Sequence, residues 1–199
     1  MAYNILLAGV GGQGLMLLTA VLGEASVDAR LDVITQEQHG LAQRSGSISA
    51  HVRIGEAYSP MIPYGMADMI IAMEAFEALR YVEYLKKDGV VIMNSRIMHP
   101  VIETSGIVNK RRENLEYVSL EQILEKLGEI TSNIKVIDAM GLAEKTGNPK
   151  AENTVLLGVS SATKGFPVSR EMLLKAVKKI VPERTIEENT KAFELGEKA

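Results

Sequence analysis

The chain of 199 residues has no cysteine, no tryptophan and only three histidines. Without cysteine it has no disulfide, no thiolate nucleophile and no ligands for a cysteine-bound iron–sulfur cluster. The histidines, His39, His51 and His99, lie far apart with no H-x-x-x-H spacing, so none of them marks a metal site. No apolar run is long enough to cross a bilayer. The first strand follows directly on Met1-Ala2-Tyr3-Asn4, with no charged leader or cleavage site before it. These absences predict a cytoplasmic protein with no membrane contact. Charge of one sign is also scarce: 22 Lys and Arg against 25 Asp and Glu leave a net charge of −3. That gives no electrostatic footprint for nucleic acid. The one basic triplet, Lys110-Arg111-Arg112, runs straight into Glu113 and reads as a solvated turn.

What is present is ordinary for a soluble globular protein, 46% hydrophobic and 24% charged. The length suits one well-buried domain, residues 1–199, and is too short for two typical domains and a linker. Methionine is abundant, ten in all, which fits either an adaptable core or a subunit interface.

The chain is organised around Leu6-Leu7-Ala8-Gly9-Val10-Gly11-Gly12-Gln13-Gly14-Leu15. Residues 3–8 read as a buried strand and residues 15–25 as a helix. Gly9, Gly11 and Gly14 match the G-x-G-x-x-G spacing between them. In that motif the first glycine permits the turn, the second lets a ligand approach the backbone, and the third lets helix and strand pack closely. The free N–H groups at the helix start then form an anion site. A sharp bend in any parallel α/β sheet has the same pattern, so the glycines alone leave both readings open. For a dinucleotide, an acid at the end of the second strand, expected over residues 31–35, would hold the ribose. Asp28, 19 residues after Gly9, precedes that strand, and Glu37, 28 residues after it, lies beyond. Neither position suits the task.

The next stretch, Gln36-Glu37-Gln38-His39-Gly40-Leu41-Ala42-Gln43-Arg44-Ser45-Gly46-Ser47, gathers amides, a histidine, an arginine and two hydroxyls into a loop directly after a strand. Strand ends are where open α/β sheets bind ligands. A polar surface loop turning at Gly40 and Gly46 is the plainer reading. Residues 47–54 alternate, with Ile48, Ala50, Val52 and Ile54 on one face and Ser49, His51 and Arg53 on the other. That predicts a half-buried antiparallel strand with His51 facing solvent. Residues 57–63 carry two prolines and read as an extended return or edge segment. A strand over 69–73, a helix from Glu74 to about Lys87 and a strand over 90–93 then form a parallel β-α-β unit. Residues 96–115 read as a loop with a short strand over 102–108. Ser119 with Gln122 forms a capping box for a helix over 120–128. A strand over 135–138 and helices over 139–146, 153–163, 170–179 and from Thr185 or Ile186 complete the order. The expected fold is α/β: a single Rossmann-like, doubly wound, mostly parallel sheet with an antiparallel insertion and a helical C-terminal third.

Several of these segments together resemble one family. Gly9-Val10-Gly11-Gly12-Gln13-Gly14, the loop Glu37 to Ser47, and Ser49-Ala50-His51-Val52-Arg53-Ile54-Gly55 are similar to the gamma-type domain of 2-oxoacid:ferredoxin oxidoreductases. So are residues 67–94, with Glu74 and Glu77 after an apolar strand, and the tail Glu188-Asn189-Thr190-Lys191-Ala192-Phe193-Glu194-Leu195-Gly196. The resemblance covers nearly the whole chain. The His39-Gly40-x-x-Gln43-Arg44 loop points to the indolepyruvate branch, in which this domain is a separate small beta subunit. One departure stands out: the family usually has two glycines after the arginine, and here Ser45 precedes Gly46.

The resemblance implies oxidative decarboxylation of a 2-oxoacid of the indolepyruvate or aryl-pyruvate class to an acyl-coenzyme A, with electrons passed to ferredoxin. It implies a large alpha subunit carrying thiamine diphosphate and the iron–sulfur clusters, and a small subunit inactive alone. The missing cysteines agree with that division. No acid, base and nucleophile group together in the sequence, so no catalytic residue is assigned to this chain. The expected cofactor-binding positions are Gly9, Gly11, Gly12, Gln13 and Gly14, suited to the pyrophosphate of coenzyme A. His39, Gln43, Arg44 and Ser45 form the expected substrate or partner loop. Alone, the chain is expected to associate with itself in place of its partner. The competing readings are a stand-alone Rossmann-type NAD(P) oxidoreductase and a nucleotide- or acyl-carrier-binding module.

Overall fold

The computed structural model describes residues 2–39, 46–98 and 118–199. The apolar run at the start becomes strand β1, Tyr3–Val10, with Asn4 through Gly9 all buried. A strand without polar alternation must be covered on both faces, and β1 is. Ile5 and Leu7 point into one core, Leu6 and Ala8 into the other.

Five more strands extend the sheet: β2 Val33–His39, β3 Ser47–Ile54, β4 Ala67–Ala72, β5 Leu85–Asn94 and β6 Ile134–Ile137. Their order is β2-β3-β1-β4-β5-β6. The pairs β1–β4, β4–β5 and β5–β6 are parallel, whereas β3 runs antiparallel to both β1 and β2. The mostly parallel sheet with an antiparallel insertion is therefore as expected. On the first face lie α1 (Leu15–Asp28) and the C-terminal helices α4 (Ala139–Glu144), α5 (Glu152–Ser161), α6 (Arg170–Ile180) and α7 (Ile186–Glu197). On the second lie α2 (Ala75–Arg80) and α3 (Leu120–Gly128). Ser119 caps α3 and Gln122 reaches back to complete the capping box.

Within the helical third, α5 and α7 bring backbone against backbone at two glycines. A Cβ on Gly158 would meet the Phe193 carbonyl oxygen, and one on Gly196 would meet that of Val155. Both positions need glycine for close approach rather than for backbone freedom. Phe193 beside them is fully buried.

Four expectations need correction. The helix from Glu74 to Lys87 ends at Arg80. A 3-10 turn, Val82–Tyr84, follows, and Leu85 already belongs to β5, opposite Ala67. Ala75, Leu79, Val82 and Leu85, spaced in sequence like one face of that helix, do reach the second core. They reach it from three different elements, because pairing with β4 extends β5 backward through a bulge where Asp88 takes φ 64°. The second strand runs to His39, so residues 36–39 belong to the hairpin arm rather than to a loop. His51 faces no solvent at all: its exposure is 0%. Residues 57–63 pair with no strand and pass over it instead. The short strand expected over 102–108 lies outside the described residues. Among the described residues no helix is long and apolar enough to cross a membrane.

Candidate functional site

The chain winds over the first face after β1 and over the second after β4, so the carboxyl ends of these two neighbours form the switch point of the sheet. That is where open α/β sheets bind ligands. The glycine turn sits there. Gly12 and Gly14 both have positive φ, 100° and 78°, values that disfavour any residue with a Cβ. A Cβ on Gly9 would lie 2.7 Å from Leu15 Cδ1, 2.8 Å from Gln13 Oε1 and 3.1 Å from Met73 Cβ. Gly9 is thus needed for packing against the start of α1 and the end of β4. Gly14 is the N-cap of α1 and offers no side-chain cap, and the first turn holds no acid. The helix start therefore lacks a side-chain cap and an acid to balance its positive dipole end.

Gln13 has a different task from the glycines. Its Oε1 accepts the Val10 N–H at 2.8 Å, and its Nε2 approaches Met98 Sδ at 3.3 Å. The side chain folds back and closes the turn that it belongs to. The turn is braced from far away as well: Asn153 Nδ2 donates to the Gly14 carbonyl at 3.4 Å. Asn153 lies 139 residues along the chain, at the start of α5. Nothing in the local sequence announces that contact.

The hairpin of β2 and β3 brings the flanks of the second expected group to the same edge. Gly11 N–H donates to the Gly46 carbonyl at 3.0 Å, and Ser47 pairs with Val10. His39 is placed by its backbone pairing with Ile48. The ends of the polar loop therefore stand beside the glycine turn, while Gln43, Arg44 and Ser45 lie outside the described residues. Ser47 Oγ donates to the buried carboxylate of Glu77, which also accepts from Arg80 Nε at 2.9 Å.

Two further buried carboxyls line the same edge. Glu74, at the end of β4, caps α2 by accepting the Phe76 N–H at 3.2 Å and also takes the Met98 N–H at 3.4 Å. Burial pushes its pKa above the ordinary carboxylate value, against the pull of those amides. Glu152 opens α5 and accepts from Asn94 Nδ2 at 3.1 Å, and Asn94 Oδ1 takes the Ala139 N–H at 3.3 Å. Burial raises its pKa too, opposed by the Arg96 guanidinium and the bond from Asn94. Asn94 thus ties β5, α4 and α5 together at its strand end. Among the described residues no combination here offers an activated nucleophile beside a base.

The arrangement answers the dinucleotide reading. In a Rossmann fold the strand bearing the ribose acid lies next to the first strand. Here β3 separates β2 from β1. Asp28, the other candidate acid, is engaged by Lys175 Nζ at 2.8 Å from α6, and that bond lowers its pKa. Among the described residues no group of three His, Asp or Glu side chains could hold a metal. With no cysteine in the chain, the iron–sulfur clusters implied by the resemblance do not fit these residues. The methionines divide between core and surface: Met69, Met73 and Met93 are fully buried, whereas Met16 and Met66 are 62% and 53% exposed.

Comparison with known proteins agrees with the fold and with the motifs. The model of the pyruvate ferredoxin/flavodoxin oxidoreductase family matches residues 4–199. The indolepyruvate oxidoreductase subunit IorB of Thermococcus kodakarensis is 41% identical over 199 residues, covering 99% of this chain and 95% of the relative. The keto/oxoacid ferredoxin oxidoreductase gamma subunit of Geobacter sulfurreducens superposes with a TM-score of 0.69 at 25% identity, covering 98% of this chain and 95% of that one. A 2-oxoglutarate:ferredoxin oxidoreductase from Magnetococcus marinus has the same fold within a longer chain. There the TM-score is 0.67 at 17% identity, with 99% of this chain matching 30% of that one. By family model and by whole-length identity, this chain belongs to the pyruvate ferredoxin/flavodoxin oxidoreductase family.

Proposed function

We propose that the chain is the small subunit of a 2-oxoacid:ferredoxin oxidoreductase of the indolepyruvate type. The complex would oxidatively decarboxylate an aryl-2-oxoacid to its acyl-coenzyme A and reduce ferredoxin. Thiamine diphosphate and the iron–sulfur clusters would sit on a large partner subunit and supply the carbanion and electron-transfer chemistry. This chain's residues would bind and orient. The uncapped start of α1 suits the pyrophosphate of coenzyme A, and the loop between β2 and β3 would close over it or over the partner's site. The observation that carries this reading is the Gly11–Gly46 hydrogen bond, which sets the flanks of the polar loop beside the glycine turn.

Arg44 tests it. A guanidinium in that loop holds a carboxylate or phosphate through paired hydrogen bonds that lysine cannot reproduce. The loss of such a charge-assisted contact is about 1.5–3 kcal/mol, a fall of about tenfold to a hundredfold. Arg44→Lys in the assembled enzyme should keep fold and assembly and lower turnover with 2-oxoacid or coenzyme A by that factor. Unchanged constants for both substrates would leave the loop as scaffold.

A further inference from the structure

The polar face of β3 is roofed by residues 55–66, a strap without strand pairing that is nevertheless fastened along its length. Ile62 N–H donates to His51 Nδ1 at 3.2 Å. Arg53 Nη1 donates to the carbonyls of Ser59 at 2.8 Å and Met61 at 3.2 Å. Asn4 Nδ2 donates to the Met66 carbonyl at 2.9 Å, and Gly65 N–H to that of Glu83 at 2.9 Å. Of these fastenings only the one at His51 depends on a group that titrates near neutral pH. Because Nδ1 accepts, the ring is the neutral tautomer with its proton on Nε2. That second nitrogen is buried and has no hydrogen-bond partner. The ring lies edge-to-face against Tyr84, with centroids 5.4 Å apart.

We propose that His51 is the latch of a pH-sensitive strap: once protonated it can no longer accept the Ile62 N–H, and residues 55–66 lift from β3. An imidazolium in the closed structure would set one N–H against another, and among the described residues no carboxylate pairs with it. The surroundings are uniformly unhelpful to it. On β3 the neighbouring charge is the Arg53 cation. Leu6 of β1 and Gln36 of β2, the cross-strand partners of His51, carry none. The strap contributes Ile62 and Tyr64. The turn before β5 contributes Tyr84, whose hydroxyl burial pushes up to about 12, with Tyr81 and Glu83 around it. Glu77 and Arg80 of α2 pair with each other, on the Ser47 side of β3. Burial and Arg53 together hold the His51 pKa below 6.5. In the lifted strap the ring meets water and regains that ordinary value.

The sign follows from linkage. A group whose folded pKa is depressed stabilises the closed form above the open-state value and loses that contribution as pH falls. The lifted fraction should therefore rise about tenfold per pH unit below about 6.5, until the closed-state pKa is reached. Lifting removes Ile62 from the second core and rearranges the surface bearing Tyr58, Tyr64 and Met66, which are 93%, 66% and 53% exposed.

Hydrogen exchange of the Ile62 amide in the full chain, divided by its intrinsic rate at each pH, reads the opening directly. The expected result is protection that is flat above pH 7 and falls about tenfold per unit below about 6.5. His51→Asn keeps an acceptor near the Nδ1 position and cannot titrate, so its protection should not vary with pH. Nitrogen-15 spectra of the histidine ring should show the Nε2–H tautomer in the wild-type protein, whether or not the variant folds. A proton on Nδ1 at neutral pH would overturn the proposal. So would an Ile62 amide whose corrected protection ignores pH, or a variant with the wild-type slope.

Discussion

Replacing Gly14 by alanine would put a methyl group 2.5 Å from Asn153 Nδ2 on a backbone at φ 78°. Such strained positions cost about 1–3 kcal/mol each, and the brace from α5 to the turn would be displaced at the same time. Gly14→Ala should therefore lower thermal stability by that order and raise the apparent KM for coenzyme A in the assembled enzyme. Unfolding scans and steady-state kinetics check the two parts separately. Glu152 makes a different prediction. Burial raises its folded pKa above 4.5, so its stabilising contribution is complete below that value and is lost as pH rises through the folded pKa. Glu152→Gln keeps an acceptor for Asn94 and has nothing to ionise. Relative to wild type, the variant should gain stability as pH climbs from about 4.5 toward neutrality. Denaturant midpoints measured across that range give the answer, and parallel curves would show that Glu152 carries no such penalty.

Among the elements, the crossing of α5 and α7 depends on two glycines. Gly158→Ala or Gly196→Ala forces a methyl group against the opposite backbone, and overpacking of this kind costs about 1–3 kcal/mol, occasionally more. Gly128, at the end of α3, has nothing within 4 Å of its notional Cβ. Gly128→Ala should be neutral or stabilising by up to about 1 kcal/mol through helix propensity. Chemical denaturation of the three variants separates close approach from a general glycine effect. The helix over 153–163 was legible, but its packing partner could not be read, since the contact spans nearly forty residues. The same limit explains the misplaced helix. Its apolar spacing was sound, yet Leu85 is drawn into the sheet by Ala67, a pairing that periodicity does not encode. His51 was misread for a related reason: alternation on β3 correctly separated two faces, while the strap that covers the polar face comes from elsewhere. The cap made by neighbours in sequence, Ser119 with Gln122, was legible in full. The bracing of the glycine turn by Asn153 was not.

At the scale of the whole molecule, the sheet order sets β3 between β1 and β2 and so removes the acid that a dinucleotide would need. NAD titrated into the purified chain should give no specific heat in calorimetry, and binding below millimolar concentration would revive the stand-alone reading. The chain also lacks the cysteines for a cluster, and among the described residues no nucleophile is paired with a base at a strand end. On the proposed reading, its role is to complete an active site whose reacting groups lie on another subunit. The direct measurement is coenzyme A-dependent reduction of ferredoxin by a 2-oxoacid such as indolepyruvate. It should be assayed with this chain alone, with the co-expressed large subunit alone, and with the two together. The account predicts full activity in the complex, none from this chain, and little or none from the large subunit without it. Ferredoxin reduction by this chain alone, or a large subunit equally active in its absence, would contradict the account.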